Sequence, residues 1–204
     1  TQMVSMYDDV GTKEGIRIWR IIKMRMVPVP MTEFGSFYTG DCYVVLRTYG
    51  TPPRSWNLHF WIGNGASNDE IAAVAIEAVQ VDRHLDCQAV QFRETQGKES
   101  SQFVSYFRHG IRYLDGGVES ALKSRYGEKE KRLFHVKGAK NIRVQQVPLS
   151  IDSLNKGDVF ILDTVDIIFI WNGPESNNRE KIKGAEMGRD IRAEHGHKSK
   201  LEII

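Results

Sequence analysis

The stretch FYTGDCYVVLRTY, Phe37–Tyr49, contains an apolar run that predicts a buried strand over Cys42–Leu46. An acidic residue, Asp41, stands at the start of that strand, directly behind Gly40. The same arrangement returns in the stretch NKGDVFILD, Asn155–Asp163. A Gly-Asp pair that opens a strand twice in one chain indicates an internal repeat.

The features that come after the two Gly-Asp pairs also appear in the same order. In each repeat, a strand that ends in tryptophan is followed by a turn of small polar residues and then by a helix with an early glutamate. Nine positions separate Trp61 from Glu70, and nine separate Trp171 from Glu180. We therefore predict two domains that are built on one plan.

The domain boundaries are set by the repeat and by a charged stretch between its copies. We predict a first domain over residues 15–122, a linker over 123–130 and an incomplete second domain over 131–204. In the first domain, three strands and a long helix precede a strand over Gln88–Gln96 and a second helix over Ser100–Leu114. This order is typical of a mixed α/β or α+β layer fold.

The long helix of the first domain is predicted over Asp69–Leu85, with Ser67 as a capping residue. Apolar residues recur at helical spacing on its core face, but others, including Ile76, fall on further faces together with Gln80. This surplus fits a stripe that binds a partner, and it fits equally a helix buried on two sides. The corresponding helix of the second domain is predicted over 177–194.

The composition is that of an ordinary globular protein, with 41% hydrophobic and 26% charged residues among 204. A net charge of +2 gives no reason to expect nucleic-acid binding. The two cysteines do not make a disulfide framework, and the sequence has neither an apolar run of about 18 residues nor a signal-peptide pattern at its start. We expect a cytoplasmic protein.

Patterns that predict catalysis are missing from the sequence. The six histidines lack the spacing of zinc ligands. The sequence contains neither a P-loop nor a GxSxG nucleophile elbow. We therefore expect a binding protein and not an enzyme.

Oxygen ligands are the chemistry that the sequence does offer. Asp41 begins a strand and Glu70 lies near the start of a helix, and a short turn before that helix can bring the two carboxylates together. The same pair recurs as Asp158 and Glu180. Ca2+ takes about six to eight oxygen ligands, and a glycine carbonyl beside the aspartate is open to an ion. The alternative is ordinary turn chemistry with an ordinary helix N-terminal acid.

Two basic clusters form a third feature, one over Arg108–Arg112 and the other over Lys131–Arg143. Basic residues that alternate with apolar ones suit an anionic lipid headgroup or an acidic protein surface. The alternative is a strand with a solvated basic face.

Several motifs together closely resemble the gelsolin/villin/severin family. They include TGDCYVVL, LHFWIGNGASNDE, VQVDRHL and RLFHVKGAKNIRVQQVP, and they appear in the family's order over essentially the whole chain after about residue 15. The chain resembles the first domain of the family and most of the second. The resemblance implies an α+β fold, with a mixed sheet between a long and a short helix. It also implies a Ca2+-regulated protein that severs actin filaments and caps their barbed ends.

The resemblance also implies three sets of calcium ligands, several of them backbone carbonyls. The set in the first domain is Gly40, Asp41, Glu70 and Val118. The set in the second domain is Gly157, Asp158 and Glu180. A further ion shared with actin would be held by Asp82, Cys87 and Ala89.

Two kinds of partner are implied, actin as monomer and filament, and phosphatidylinositol bisphosphate at the membrane surface. The expected actin contacts are Ile76, Gln80 and Asp82. The expected phosphoinositide contacts are Arg108, Arg112, Lys131, Arg132, Lys137, Lys140 and Arg143. The expected location is the cytoplasm and its cytoskeleton. Alternatives are a capping or monomer-binding protein that does not sever, and a module that binds anionic phospholipid.

Overall fold

The computed structural model describes Tyr7 and residues 9–117 and 130–204. Their contacts divide them into two compact units. The first unit runs to Phe34 and continues over Tyr38–Tyr106. The second comprises Gly35–Phe37 and the described residues from Phe107 onward.

Strands make up most of the regular structure in these residues. The strands are β1 (Gly15–Ile22), β2 (Arg25–Pro28), β3 (Ser36–Tyr38), β4 (Cys42–Tyr49), β5 (Ser55–Ile62), β6 (Val90–Thr95), β7 (Ile111–Leu114), β8 (Arg132–Lys137), β9 (Arg143–Val147), β10 (Val159–Asp163), β11 (Ile167–Asn172) and β12 (Lys200–Ile203). The helices are α1 (Asn68–His84), α2 (Ser101–Ser105) and α3 (Asn178–Glu194). Short 3-10 turns cover Met31–Glu33 and Ile151–Ser153. No helix of the described residues is both long and apolar enough to cross a membrane.

Each unit is built on one mixed sheet. The first has the strand order β2-β1-β4-β5-β6, in which β5 and β6 are parallel and the other neighbours antiparallel. The second has the order β12-β11-β10-β8-β9-β7-β3. There, β11 pairs with β12 and β7 with β9 in parallel, while β8, β9, β10 and β11 form antiparallel pairs. The mixed sheets confirm the predicted α+β class.

Helix α1 begins where the sequence predicts, because Ser67 and Glu70 form a reciprocal capping box at its first turn. Its buried side packs on alternate residues of the sheet, and the shared apolar cluster includes Cys42 and Leu46 of β4 and Leu58 of β5. The long helix of the first repeat is therefore confirmed.

The other face of the first sheet carries α2. Ser100 caps this helix by accepting a hydrogen bond from the Phe103 N–H at 3.2 Å, and its hydroxyl donates to Glu94 on β6 at 2.7 Å. The ring of Phe103 lies 5.3 Å from that of His59 on β5. A long and a short helix thus lie on opposite faces of the sheet, as predicted for this fold.

The predicted helix over Ser100–Leu114 is wrong in its second half. The helix ends at Ser105, and Ile111–Leu114 forms β7 of the second sheet. Gly110 stands between them with φ +84°, a left-handed conformation, and a Cβ there would lie 2.6 Å from the Ile142 carbonyl oxygen. The helix has ended five residues before Gly110, whose left-handed backbone leads the chain into β7, and pairing with the distant β9 makes the residues after it extended.

The division into units also differs from the predicted domain boundaries. Residues 107–117, which the repeat places in the first domain, group with the second unit because β7 pairs with β9. Residues 118–129, which hold most of the predicted linker 123–130, lie outside the described residues.

Helix α3 has the same kind of start as α1. Asn177 accepts from the Glu180 N–H, and the Glu180 side chain accepts from the Asn177 N–H in return. Two glycines let α3 approach its sheet closely, since a Cβ at Gly184 would lie 2.7 Å from Val159 and one at Gly188 would lie 2.7 Å from Ile170. The predicted helix of the second repeat is confirmed.

Candidate calcium sites and partner-binding helix

The turn between β5 and α1 holds the start of β4 to the start of α1. The Gly63 N–H donates to the Asp41 carbonyl at 3.0 Å, and the Gly65 N–H donates to the Thr39 carbonyl at 2.8 Å. A Cβ on residue 63 would lie 2.3 Å from the Thr39 carbonyl oxygen, so this approach requires glycine. Backbone contacts therefore bring the Gly-Asp pair beside the helix that contains Glu70.

The Asp41 carboxylate is buried and already has a cationic partner. Its side chain is 1% exposed, and its Oδ2 accepts from Arg20 Nε at 2.7 Å and also pairs with Nη2. The Arg20 guanidinium lies 4.4 Å from the centre of the Tyr38 ring. A buried carboxylate needs such a partner, because an isolated charge is strongly disfavoured away from water.

The Glu70 carboxylate is held at the first turn of α1. Its Oε2 accepts from the Ser67 N–H at 2.9 Å and from the Ser67 hydroxyl at 2.8 Å. Negative charge is favoured at this end of a helix. The Glu70 carboxylate therefore caps α1, and its position agrees with the predicted role as a metal ligand.

The buried thiol of Cys42 is affected by the charges of both carboxylates. Burial, and after it the negative charges of Glu70 and Asp41, together raise the pKa of Cys42 to about 12, while a hydrogen bond to Gly63 opposes them. Both carboxylates thus lie within electrostatic reach of one buried thiol. Cys42 itself is fully buried, as expected of a core residue.

These donors suit a hard cation. Two carboxylates and a glycine carbonyl are oxygen ligands of the kind that Ca2+ prefers. The predicted fourth ligand, Val118, lies outside the described residues. Within the described residues, no three His, Cys, Asp or Glu side chains stand together as a metal cluster. The predicted sites combine two carboxylates with backbone carbonyls, so they do not require such a cluster.

The second repeat arranges its acids in the same way. Asp158 Oδ2 lies 2.7 Å from His135 Nε2 and accepts from Asn155 Nδ2 at 2.9 Å. Glu180 is 3% exposed and accepts from the backbone N–H of Gly138 at 3.0 Å, besides its capping bond. Burial favours a higher pKa for Asp158, but the hydrogen bonds from Asn155 and His135 hold it below its ordinary value.

The basic partners of the two aspartates occupy equivalent places. Arg20 stands opposite Tyr43 across β1 and β4, and Tyr43 is two residues after Asp41. His135 stands opposite Phe160 across β8 and β10, and Phe160 is two residues after Asp158. The repeat therefore extends to the partner of each acid, although the residue type differs.

The surplus apolar residues of α1 lie on an exposed face. Ile76 is 60% and Val79 is 40% exposed, and Gln80 beside them is also exposed. Of the two hypotheses for this helix, the structure supports an uncovered stripe on the described unit over a helix buried on two sides. An exposed apolar stripe on a helix is a common protein-binding surface.

Asp82 anchors the turn that ends α1. Its Oδ1 accepts from the Ala89 N–H at 3.0 Å, and its Oδ2 accepts from Gln91 Nε2 at 2.8 Å. The Cys87 N–H donates to the Asp82 carbonyl at 2.8 Å, and Cys87 has a φ of +57°. The three predicted ligands of the shared ion are thus brought into one turn. The backbone at Cys87 is thus left-handed, a conformation that glycine adopts more easily than other residues.

The seven basic residues predicted for phosphoinositide do not share one environment. Arg112 is 6% exposed and pairs with Glu194, while Arg132 pairs with Asp163 at 2.7 Å. These two guanidinium groups serve contacts inside the second unit. The exposed members are Arg108, Lys131, Lys137 and Lys140, and Arg143 is half-buried.

The acids that capture these arginines were missed by sequence reasoning. Asp163 is fully buried at the end of β10, where both of its oxygens lie 3.0 Å from His195 Nε2. Glu194 ends α3 and lies near both arginines. The one signal for this cluster in the sequence was an aspartate, Asp163, at the end of an apolar strand. Its partners could not be read from the sequence, because they come from distant parts of the chain.

A sequence model of the Gelsolin repeat matches residues 23–104 and 140–203, which include the Gly-Asp strand and long helix of each repeat. The chain belongs to the gelsolin family. Its two gelsolin repeats correspond to the two matched segments.

Named relatives support the same assignment. The chain is 41% identical to "Gelsolin, cytoplasmic" of Homarus americanus over 99% of its length and 44% identical to "Advillin" of Mus musculus over 98%. It is 41% identical to "Actin depolymerising venom protein gelsolin 1" of Platymeris rhadamanthus over 95%. It spans 27%, 25% and 53% of these proteins.

A solved chain of the Thorarchaeota 2DGel3/rabbit actin complex is 28% identical and aligns over 93% of this chain and 92% of its own. The TM-score is 0.39, which is too low to support an argument about arrangement or function.

Replacing Asp163 by asparagine is expected to destabilise the second repeat by about 3–5 kcal/mol, because Arg132 would lose its buried partner. Burial favours a higher pKa for Asp163, but Arg132 and the Val165 N–H hold it below the ordinary value. Its stabilising effect is therefore full above about pH 4 and is lost as pH falls through the lowered pKa.

Urea unfolding from pH 7 to pH 3 measures this effect. Asp190→Asn is the matched control, since Asp190 pairs with His109 but is 40% exposed, and about 0–1 kcal/mol is expected. Equal losses in the two variants would contradict the buried role of Asp163.

Proposed function

We propose that this pair of gelsolin repeats binds actin through the exposed face of α1. The observation that carries the proposal is the uncovered stripe formed by Ile76, Val79 and Gln80. Family membership supports it, as does the relative whose name describes an actin-depolymerising protein and which is 41% identical.

Actin binding by this stripe suits filament severing and barbed-end capping. An apolar helix face that fits between two actin subunits would replace part of their mutual contact, and a helix that stays there would block addition of further subunits. No covalent bond changes, so the proposed activity is binding and not catalysis. A protein that caps filaments or binds monomers without severing would use the same helix face, but that face would displace less of the contact between two actin subunits.

We propose Ca2+ as the regulator. Gly40, Asp41 and Glu70 would hold one ion, and Asp82 with the carbonyls of Cys87 and Ala89 would hold another at the actin contact. In the second repeat, the corresponding ligands are Gly157, Asp158 and Glu180. A bound Ca2+ ion would supply positive charge that bridges the carboxylates. The protein residues fix the start of β4 against the start of α1, which sets the orientation of the actin-binding helix.

We also propose a phosphoinositide site on the second repeat, with fewer basic residues than the seven predicted from the sequence. The support is that three lysines are exposed around β8, an interior strand of the second sheet: Lys131 just before it, Lys137 at its end and Lys140 in the turn that follows. Exposed lysines near a membrane surface each contribute about 1 kcal/mol toward anionic lipid. The inward-facing arginines are not part of this proposal.

The proposed location is the cytoplasm, in association with the actin cytoskeleton. The support is the similarity to a relative named as cytoplasmic gelsolin.

Replacing Ile76 by aspartate is expected to weaken actin binding by about 30-fold or more, because central apolar contacts of an interface commonly contribute about 2 kcal/mol or more. Binding to fluorescent monomeric actin measures the change. Ile182→Asp is a matched control, since Ile182 is a 59% exposed isoleucine on α3. Equal weakening by both variants would contradict the assignment of α1.

Filament fragmentation is expected with Ca2+ and not with a chelator. Glu70→Gln should abolish one calcium-binding event in calorimetry while leaving α1 capped, since glutamine also serves in a capping box. Fragmentation that persists in chelator, or an unchanged calcium stoichiometry, would refute the regulatory site. Sedimentation of filaments without fragmentation would favour capping alone.

Replacing Lys137 and Lys140 together by glutamine is expected to weaken binding to vesicles with phosphatidylinositol bisphosphate by about 30-fold, from about 1 kcal/mol for each lysine. Vesicle flotation measures the bound fraction. The control replaces Lys13 and Lys23 of the first unit in the same way, which removes the same net charge. Unchanged flotation of the first variant would remove the lipid site.

A further inference from the structure

We propose that Arg20 competes with Ca2+ for the Asp41 carboxylate and so sets the calcium threshold of the first repeat. The inference rests on the proposed calcium site and concerns its regulation. It arises from the ion pair between Arg20 on β1 and Asp41 at the start of β4, a contact that the pattern of calcium ligands does not include.

The contact engages the carboxylate closely. Arg20 Nε donates to Asp41 Oδ2 at 2.7 Å, and Nη2 pairs with the same oxygen. The side chain of Arg20 is 9% exposed and that of Asp41 is 1% exposed, so water and salt screen the pair poorly. The guanidinium is further held over the ring of Tyr38, 4.4 Å from its centre.

The charge of Arg20 is permanent. An arginine guanidinium is charged in proteins under ordinary conditions, so an incoming cation meets a full positive charge there. A calcium ion at Asp41 would meet a like charge and share a carboxylate that is already hydrogen bonded. Arg20 must therefore lower the affinity of the site or move away when the ion binds.

Arg20 could also favour calcium binding, because it fixes the orientation of the Asp41 carboxylate. The rotamer entropy saved for one short side chain is small. Repulsion between a monovalent and a divalent cation near one buried carboxylate is larger at any reasonable effective dielectric. Competition is therefore expected to exceed preorganisation.

The second repeat provides an internal comparison. Its acid, Asp158, meets His135 at the place equivalent to Arg20, with Nε2 at 2.7 Å from Oδ2. The imidazole is stacked on Phe160, with the ring centres 4.6 Å apart. The same fold thus accepts a partner without a permanent charge at this position, and the arginine of the first repeat is not required by the architecture.

The functional consequence concerns α1. Glu70, the second carboxylate of this site, belongs to the first turn of the proposed actin-binding helix. A high threshold at Asp41 would keep the first repeat from binding Ca2+ until the concentration is high enough to overcome Arg20.

The test is calorimetric titration of Ca2+ into the whole chain at fixed pH, for the wild type, Arg20→Gln and Arg20→His. In both variants, the calcium affinity of the site that is lost in Glu70→Gln is expected to increase by about tenfold or more. The rise in melting temperature on calcium addition is expected to be larger as well. Arg20→His copies the partner found in the second repeat, which keeps the test valid if Arg20→Gln does not fold.

The matched control is Arg47→Gln. Arg47 lies on β4 in the same sheet and its replacement removes the same charge, but it is 30% exposed and its partner Glu14 is 3.7 Å away. The calcium affinity of this variant should stay within about twofold of the wild type, because exposed charges are screened.

The outcomes are distinct. Unchanged or weaker binding in the folded Arg20 variants would overturn the inference and make Arg20 a positioning residue for the carboxylate. Equal tightening in Arg47→Gln would overturn it as well, since the effect would then be one of net charge. If neither the wild type nor any Arg20 variant binds Ca2+ at the site tested by Glu70→Gln, the proposed site itself fails.

Discussion

The hydrogen bond from the turn glycine to the start of the Gly-Asp strand is the constraint on which both repeats depend. The Gly63 N–H meets the Asp41 carbonyl at 3.0 Å, and the Gly173 N–H meets the Asp158 carbonyl at the same distance. A Cβ on Gly173 would lie 2.4 Å from that carbonyl oxygen. Because the long helix comes directly after this turn, the acid of the strand and the glutamate of the helix are fixed by one short piece of backbone.

Among the described residues, each of three buried aspartates has a basic partner within its own unit. Asp41 pairs with Arg20, Asp158 with His135, and Asp163 with Arg132 and His195. A buried carboxylate without such a contact would be strongly destabilising. A cation that bound at Asp41, as proposed, would therefore meet a carboxylate that is already paired with Arg20.

Local features of the fold were predictable because their causes are local. The starts of α1 and α3 are set by a capping residue and a glutamate three positions later, which satisfy each other's backbone donors. The helix predicted over Ser100–Leu114 failed for the opposite reason. Its spacing suits a helix, but the helix ends at Ser105, the left-handed Gly110 follows, and pairing with β9 makes the residues after it extended.

The sequence by itself determined the repeat, the α+β class and the two long helices. Only the tertiary structure decided that Arg112 and Arg132 turn inward and that the stripe on α1 is exposed. It also decided that Asp41 is held by Arg20. The physical reason is that capping and periodicity act between near neighbours. The partner of a buried charge is chosen by strands and helices that are distant in the chain.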